Sequence, residues 1–507
     1  MGKKDKNKKK GKGAEKTLVK TDKKLVAKNK KLLQKLGEED IQDIIAKQEQ
    51  ELSQVKTVEL SPVAPPSARS SFGLTSFKDD MIMFGGEFFN GQKTEVYGDF
   101  YFFNTVKNEW KLVKAKGPTP RSGAALCSVE TDGGQLWLFG GEYQSPSQIQ
   151  IIHFKDLWVY RLKTKVWEKV NAPNGPTARS GHRMVASKKK LFVFGGFYDN
   201  NATYKYYNDL FVFSLETYTW LNIQVSGNAP SPRSGICFAA ANDGKIVVWG
   251  GFSKSPVKKG IDRGVTHGDM FTLVPEKGDT TGLKYKWNLV KPGGSKPLPR
   301  SGMSIAVAAN GKCYNFGGVL DTKEDEEDIE GQFGNDLHCL DLSTLVWRRM
   351  ELNKKSSEPK KTEMEVEPVE EVKTVTNELG FTVTVGGPST KTSSAKSESN
   401  EGQNKGFPSP RMNAGIVVIN KNLYLYGGIY EQGHRQYTLS DFYSLDVNKM
   451  DSWKTLIANS NTQEWVGSDS EGSSDEDDDE EDDDDDDEEE SGVSDEDSDE
   501  SDDMETD

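Results

Sequence analysis

The sequence predicts an all-β fold, a six-bladed β-propeller, with a basic helical arm before it and a disordered acidic tail after it. The first observation is a glycine pair that occurs six times: Gly85-Gly86, Gly140-Gly141, Gly195-Gly196, Gly250-Gly251, Gly317-Gly318 and Gly427-Gly428. The first four pairs stand 55 residues apart, a spacing chance does not produce. The second is an arginine ahead of each pair, at Arg69, Arg121, Arg179, Arg233, Arg300 and Arg411. The third is a tryptophan behind each pair, at Trp110, Trp167, Trp220, Trp287, Trp347 and Trp453.

The third copy justifies the elements most plainly. Arg179-Ser180-Gly181-His182 opens it, Leu191-Phe192-Val193-Phe194 runs into the glycines, Leu210-Phe211-Val212-Phe213 follows Asn208-Asp209, and Trp220 closes it. Turn signals separate the apolar runs, so the unit reads as four short antiparallel strands. Glycine stands where a strand ends in a positive φ or a close backbone approach. An aspartate before the third strand can start it through a side-chain hydrogen bond, and tryptophan offers an apolar face to a neighbouring sheet. A period of about 50 residues with these marks resembles the kelch repeat. Six copies imply a closed ring in which each blade buries its faces against the next.

In chain order, residues 1–36 form a lysine-rich arm and 37–60 a short helix and linker. Residues 61–350 carry blades one to five, 351–406 a disordered insertion, 407–458 blade six, and 459–507 the acidic tail. The net charge of −15 sums unlike parts. Residues 1–35 hold fifteen lysines against three acids, residues 469–507 hold 27 acids and no base, and the remainder is neutral at 50 of each. Leu25, Leu32, Leu33 and Leu36 recur at helical spacing, as do Ile41, Ile44, Ile45 and Leu52 beyond Gly37. Two short helices fit, resting on the propeller or presenting a solvated face. The lysines suit a nuclear localisation signal or a weak phosphate contact, but no motif of specific nucleic-acid recognition accompanies them.

Propeller topology sets where binding belongs. Turns such as Ser187 to Lys190 are short on one face, whereas Glu142 to Lys155, Asp199 to Asn208, Phe252 to Gly268, Val319 to Asn335 and Ile429 to Ser440 are long on the other. Long loops on a rigid scaffold carry binding. The loop from Phe252 to Gly268 is basic and Asp321 to Glu330 acidic, so the two either pair or orient a partner. Each repeated arginine follows an inter-blade link, which puts Arg69, Arg121, Arg179, Arg233, Arg300 and Arg411 on the long-loop face. There they either hold the repeat together or line the channel mouth and take an anionic protein partner. The kelch resemblance implies the second role, since in kelch substrate receptors residues at this position reach the ligand.

In the insertion, Phe381 to Val385 alternates like a strand. In the tail, Ser473, Ser474 and Ser494 precede acidic triplets and are candidate phosphosites for an acid-preferring kinase. The tail is a solvated end, a docking surface for a basic partner, or a competitor for the arginines. The ring closes with Trp453-Lys454-Thr455-Leu456 as the outer strand of blade six, or with Thr57-Val58-Glu59-Leu60 as a clasp there from the other terminus.

These marks point to a non-catalytic interaction module. His153, His182, His267, His338 and His434 lack ligand spacing, as do Cys127, Cys237, Cys313 and Cys339, so no metal, cofactor or catalytic residue is expected. No phosphate-binding loop, nucleophile elbow or zinc motif is present, which disfavours an enzyme. No apolar run approaches the length of a membrane span. A reduced cytoplasmic or nuclear protein is expected, with an acidic-tail escort of histones or ribosomal proteins as the alternative.

Overall fold

The computed structural model describes residues 31–201, 203–258, 261–321, 331–353, 374–376, 382–384, 407–433, 435–459 and 465–467. The chain forms a six-bladed β-propeller. In the third blade Arg183–Ser187, Lys190–Phe194, Leu210–Ser214 and Thr219–Leu221 pair antiparallel in chain order. Leu191, Phe192, Val193 and Phe194 are all buried, because neighbouring blades cover both faces of that strand. An unbroken apolar run is what such a strand requires.

The innermost strands are Gly73–Phe77, Ala125–Val129, Arg183–Ser187, Cys237–Ala240, Ser304–Val307 and Gly415–Ile419, and they stand side by side around a central channel. The last lies beside the first, which closes the ring. Each blade is keyed to the one before it by its tryptophan. Trp167 meets Phe84 at 5.8 Å, Trp220 meets Phe139 at 5.9 Å and Trp287 meets Phe194 at 5.1 Å, in edge or tilted geometry. Trp347 meets Trp249 at 5.6 Å, Trp453 meets Phe316 at 5.9 Å, and Trp110 meets Tyr426 across the closing joint at 5.8 Å. Each partner is the aromatic residue immediately before a glycine pair.

The glycine pairs are a second set of joints. Gly195 and Gly196 have φ of +72° and +95°, and a Cβ on them would fall 2.8 Å from the Arg233 carbonyl and 2.7 Å from the Ser180 carbonyl. No side chain fits there. The approach lets the second glycine donate its N–H to the carbonyl of the next blade's arginine, from Gly86 to Arg121 at 3.0 Å around to Gly428 and Arg69 at 3.0 Å.

Segments flanking the ring on both sides settle on the first blade. Lys454–Ile457 pairs with Phe442–Asp446, so blade six completes itself. Val58–Val63 adds an antiparallel fifth strand to Glu109–Lys114 of blade one, not to blade six, and the clasp expected on blade six is corrected accordingly. Glu59 ties this strand to Lys111 at 3.2 Å and to Lys165 of blade two at 2.6 Å. Beyond blade six, Val466 donates its N–H to the Asn90 carbonyl at 2.9 Å and Trp465 packs edge-on against Phe89. Blades four and five gain short parallel edges from Gln224–Ser226 and Gly293–Gly294, which nothing in the sequence announced.

The long loops are ordered hairpins. Glu87–Phe89 pairs with Thr94–Val96, Glu142–Gln144 with Ile151–His153, and Phe197–Asp199 with Tyr204–Tyr206, and three more follow, so six hairpins ring the channel on that face. The basic and acidic loops touch where Thr266 donates to Asp321 at 3.5 Å, while residues 322–330 lie outside the described residues. The helix Ile41–Gln54 is capped by Asp40, whose side chain accepts the Gln42 N–H, and rests on the blade-two hairpin. Ile41 and Ile45 are buried there against Tyr143, and Gln150 accepts the Ile41 N–H at 3.0 Å. The helix therefore covers the propeller, one of its two expected roles. Within the insertion, Thr374–Thr376 and Thr382–Thr384 form an antiparallel pair, so the alternating island has a local partner. Phe381, Val385, His434, Ser473, Ser474, Ser494 and the acidic stretch lie outside the described residues.

Candidate interaction site: the central channel

The six repeated arginines do not line the channel. None is more than 8% exposed. Arg179 shows the arrangement: Nη1 donates to the Gly195 carbonyl at 3.1 Å and to Asp209 at 2.5 Å, Nη2 reaches the same carboxylate at 3.0 Å, and Nε donates to the Thr177 carbonyl. Arg69 pairs with Asp99, Arg121 with Asp156, Arg233 with Asp269, Arg300 with Asp336 and Arg411 with Asp441 in the same way. Each guanidinium grips the glycine-pair carbonyl and the aspartate of its own blade. The expectation that these arginines ring the mouth is corrected, because their donors are spent inside the blade and a buried cation is kept only where it is paired. The arginine nearby holds the Asp156 and Asp269 carboxyls below their ordinary range against the opposing effect of burial.

The channel has a volume of about 510 Å³, and its wall alternates small residues with a few functional ones. The position four residues after the repeated arginine lines it from every blade but the fourth, where that residue is fully buried. That position is Gly73, Ala125, Arg183, Cys237, Ser304 and Gly415. Five are small and one is an arginine, so the side chain of Arg183 has the room its counterparts leave. Arg183 Nη1 donates to the adjacent His182 carbonyl at 3.1 Å, and it has no acidic partner among the described residues. It is the one cation among the described residues of the channel wall. Burial pulls its pKa below the ordinary guanidinium value, which leaves it a charge in search of a counter-charge.

Acidity enters the mouth at two adjacent blades. The residue after each glycine pair is Glu87, Glu142, Phe197, Phe252, Val319 and Ile429, bridged to the residue after its blade's arginine. Glu87 accepts the Ser122 hydroxyl and Glu142 the Ser180 hydroxyl, both at 2.8 Å. Glu142 also faces His153. Burial raises both carboxyl pKa values, that of Glu142 to about 8 with the Glu87 charge as a further cause. The mouth thus carries acids over blades one and two and phenylalanines over blades three and four.

Other candidate chemistry is absent from the described residues. Cys127, Cys237, Cys313 and Cys339 are buried free thiols, and burial pushes Cys127 and Cys237 up to about 12, far from a reactive thiolate. No group of three or more metal-ligating side chains occurs among the described residues.

Comparison with known proteins agrees with this architecture. The chain is 27% identical over 323 residues to host cell factor of Drosophila melanogaster, and 29% identical over 310 residues to host cell factor 1 of Homo sapiens. Those matches take in 58% and 56% of this chain but 19% and 14% of the relatives, so it spans less than a fifth of their length. A Thlaspi arvense protein named N-(sulfonatooxy)prop-2-enimidothioate sulfolyase is 26% identical over 298 residues, covering 56% of this chain and 80% of its own length. The family model described as the KLHDC2/KLHL20/DRC7 Kelch-repeats domain matches residues 71–281 and 199–366, more than half of the chain. With six blades built on one glycine, arginine, aspartate and tryptophan pattern, the chain belongs to that kelch-repeat family.

Proposed function

We propose that this chain is a non-catalytic protein-interaction module that receives its partner on the long-loop face, with an acidic group of the partner reaching Arg183 in the channel. The observation that carries this reading is the lone guanidinium itself, held in a channel whose other equivalent positions are small. A guanidinium without a counter-ion in a part-desolvated cavity favours a carboxylate through charge-assisted, bidentate hydrogen bonds. The apolar side of the mouth, with Phe197 and Phe252, offers surface to the residues beside that carboxylate. The anchor for the anionic partner is Arg183, and the six repeated arginines hold the blades together.

A rhodamine-labelled hexaglutamate peptide titrated at low salt tests this. Arg183→Ala should lose at least about tenfold in affinity, the scale of one desolvated charge pair, with an unchanged melting temperature. A folded Arg183→Ala chain that binds as tightly as the parent would overturn the reading. Escort of basic proteins by residues 469–507 is the second proposal, favoured by their 27 acids. It predicts that removing the tail abolishes histone binding and spares the peptide. The order of parts, a lysine-rich start, six repeats interrupted before the last, and an acidic end, supports a closer kinship with kelch domain-containing protein 4 and a cytoplasmic or nuclear setting.

A further inference from the structure

The turn before a closing tryptophan bends through one left-handed residue, and in three blades that residue plugs the joint to the blade before. Tyr218, Leu345 and Met450 have φ of +57°, +58° and +48°. Tyr218 packs on Trp137 of blade two at 5.5 Å, Leu345 joins the core cluster that holds Val247 of blade four, and Met450 the one that holds Tyr314 of blade five. Bulky side chains take that conformation at a cost, so filling the joint outweighs it. In blade one the same position is Asn108, at φ +57°, and Thr105 stands where other blades have Leu162, Leu215, Leu342 and Val447. Both are short and polar. The joint that closes the ring, between blades six and one, therefore keeps a pocket of about 360 Å³ on the short-turn face.

The third blade shows what such a space holds. Tyr218 fills its joint there, and its phenol oxygen accepts from Gln135 Nε2 at 3.4 Å and Arg161 Nη2 at 3.5 Å. In the open joint Tyr424 takes the place of Trp137, and the paired residues Asn422 and Asp446 take the places of Gln135 and Arg161. Asp446 turns Oδ1 to the N–H groups of Asn448 and Lys449, while its Oδ2 lies 3.6 Å from Lys421 and can accept an O–H. Lys449 and Lys454 also line the pocket, and neither ammonium group has a carboxylate within ion-pair distance among the described residues. No tyrosine of the chain is free to enter. All sixteen lie among the described residues, and Tyr424 alone of them lines the pocket.

We infer that the closing joint is a second interaction site, which takes a tyrosine side chain of a partner protein flanked by acidic residues. The ring packs against Phe103 and Tyr424 as Tyr218 packs against Phe213 and Trp137, and the phenol donates to Asp446. The flanking carboxylates meet Lys449 and Lys454. This site lies on the face opposite the long loops and does not rest on the channel or Arg183.

The test fills the pocket from within. Asn108→Tyr supplies the missing plug and should melt no lower than the parent; Asn108→Leu, the counterpart of Leu345, serves the same end without a phenol. A rhodamine-labelled pentapeptide, one tyrosine between two pairs of glutamates, should bind the parent at least about tenfold more tightly than the same peptide with alanine at its centre, the scale of burying one large side chain. Either plug should remove that preference, and Arg183→Ala should retain it. A preference that survives a folded plug variant, or that the parent never shows, overturns the inference. Its loss in Arg183→Ala would assign the peptide to the channel and overturn the inference while leaving the proposed function standing. Self-association of the parent that Asn108→Tyr abolishes would seat a tyrosine of a second copy in the joint and overturn the separate partner.

Discussion

A guanidinium paired with a carboxylate and one without such a partner are chemically opposite, and the third blade holds both. Arg179 is fully enclosed and shares two hydrogen bonds with Asp209, whereas Arg183, four residues on, faces the channel unpaired. Truncating Arg179 leaves a carboxylate and a carbonyl without their donor, so Arg179→Ala should cost about 3 to 5 kcal/mol in urea unfolding. Trp220→Ala empties the joint against Phe139 and should cost a similar 3 to 5 kcal/mol. Arg183→Ala should change stability by less than about 0.5 kcal/mol. Equal losses from Arg179→Ala and Arg183→Ala would contradict the distinction. The sequence already held the clue to it. Asp99, Asp156, Asp209, Asp269, Asp336 and Asp441 recur with the arginines, one acid per arginine, and a matched pair in every repeat marks a structural bond. The approach of Glu142 to His153 was not legible, because it depends on the register of a hairpin whose sequence resembles a loop.

At the scale of elements, strands covered on both sides read clearly and edges did not. Leu191 to Phe194 announces itself as an apolar run, but the hairpins after the glycine pairs have mixed sequences such as Tyr204-Lys205-Tyr206 and resemble loops until their backbones pair. Parallel additions such as Gln224–Ser226 are exposed throughout and carry no pattern at all. The two terminal strands differ in what they support. Lys454–Ile457 follows Trp453, which fills the joint to blade five, while Val58–Val63 only extends an edge that is already complete. Removing residues 1–64 should therefore leave a cooperative unfolding transition at a lowered midpoint, and removing residues 452 onward should abolish it. A chain that loses cooperative unfolding on the first deletion would show that the added edge is required.

The whole molecule responds to pH through groups held in their neutral forms. Burial keeps His153 and His267 at about 4 and lowers His182 and His338, so the folded chain resists protons that the unfolded chain takes up near pH 6.5. Stability should fall as pH drops from there towards 4. Glu142 acts in the opposite sense. Its folded pKa of about 8 exceeds the unfolded value, so its contribution is full below about pH 4.5 and is lost as pH rises through 8. The melting temperature should peak near pH 7, about where the two trends balance. Glu142→Gln should flatten the alkaline side between pH 6.5 and 8, and a parent chain with no such alkaline decline would argue against the buried acid.

The insertion between blades five and six separates them by many residues in the chain, yet their joint matches the others. Trp453 seats on Phe316, and Gly318 donates to the Arg411 carbonyl at 2.9 Å as its counterparts do elsewhere. The last blade is thus seated by the same kinds of contact that seat the blades joined by short links. The ring is in this sense a two-piece assembly that happens to be synthesised in one piece. A cut anywhere in the intervening segment would leave a small fragment wedged between two complementary surfaces, able to dissociate and return as a subunit does.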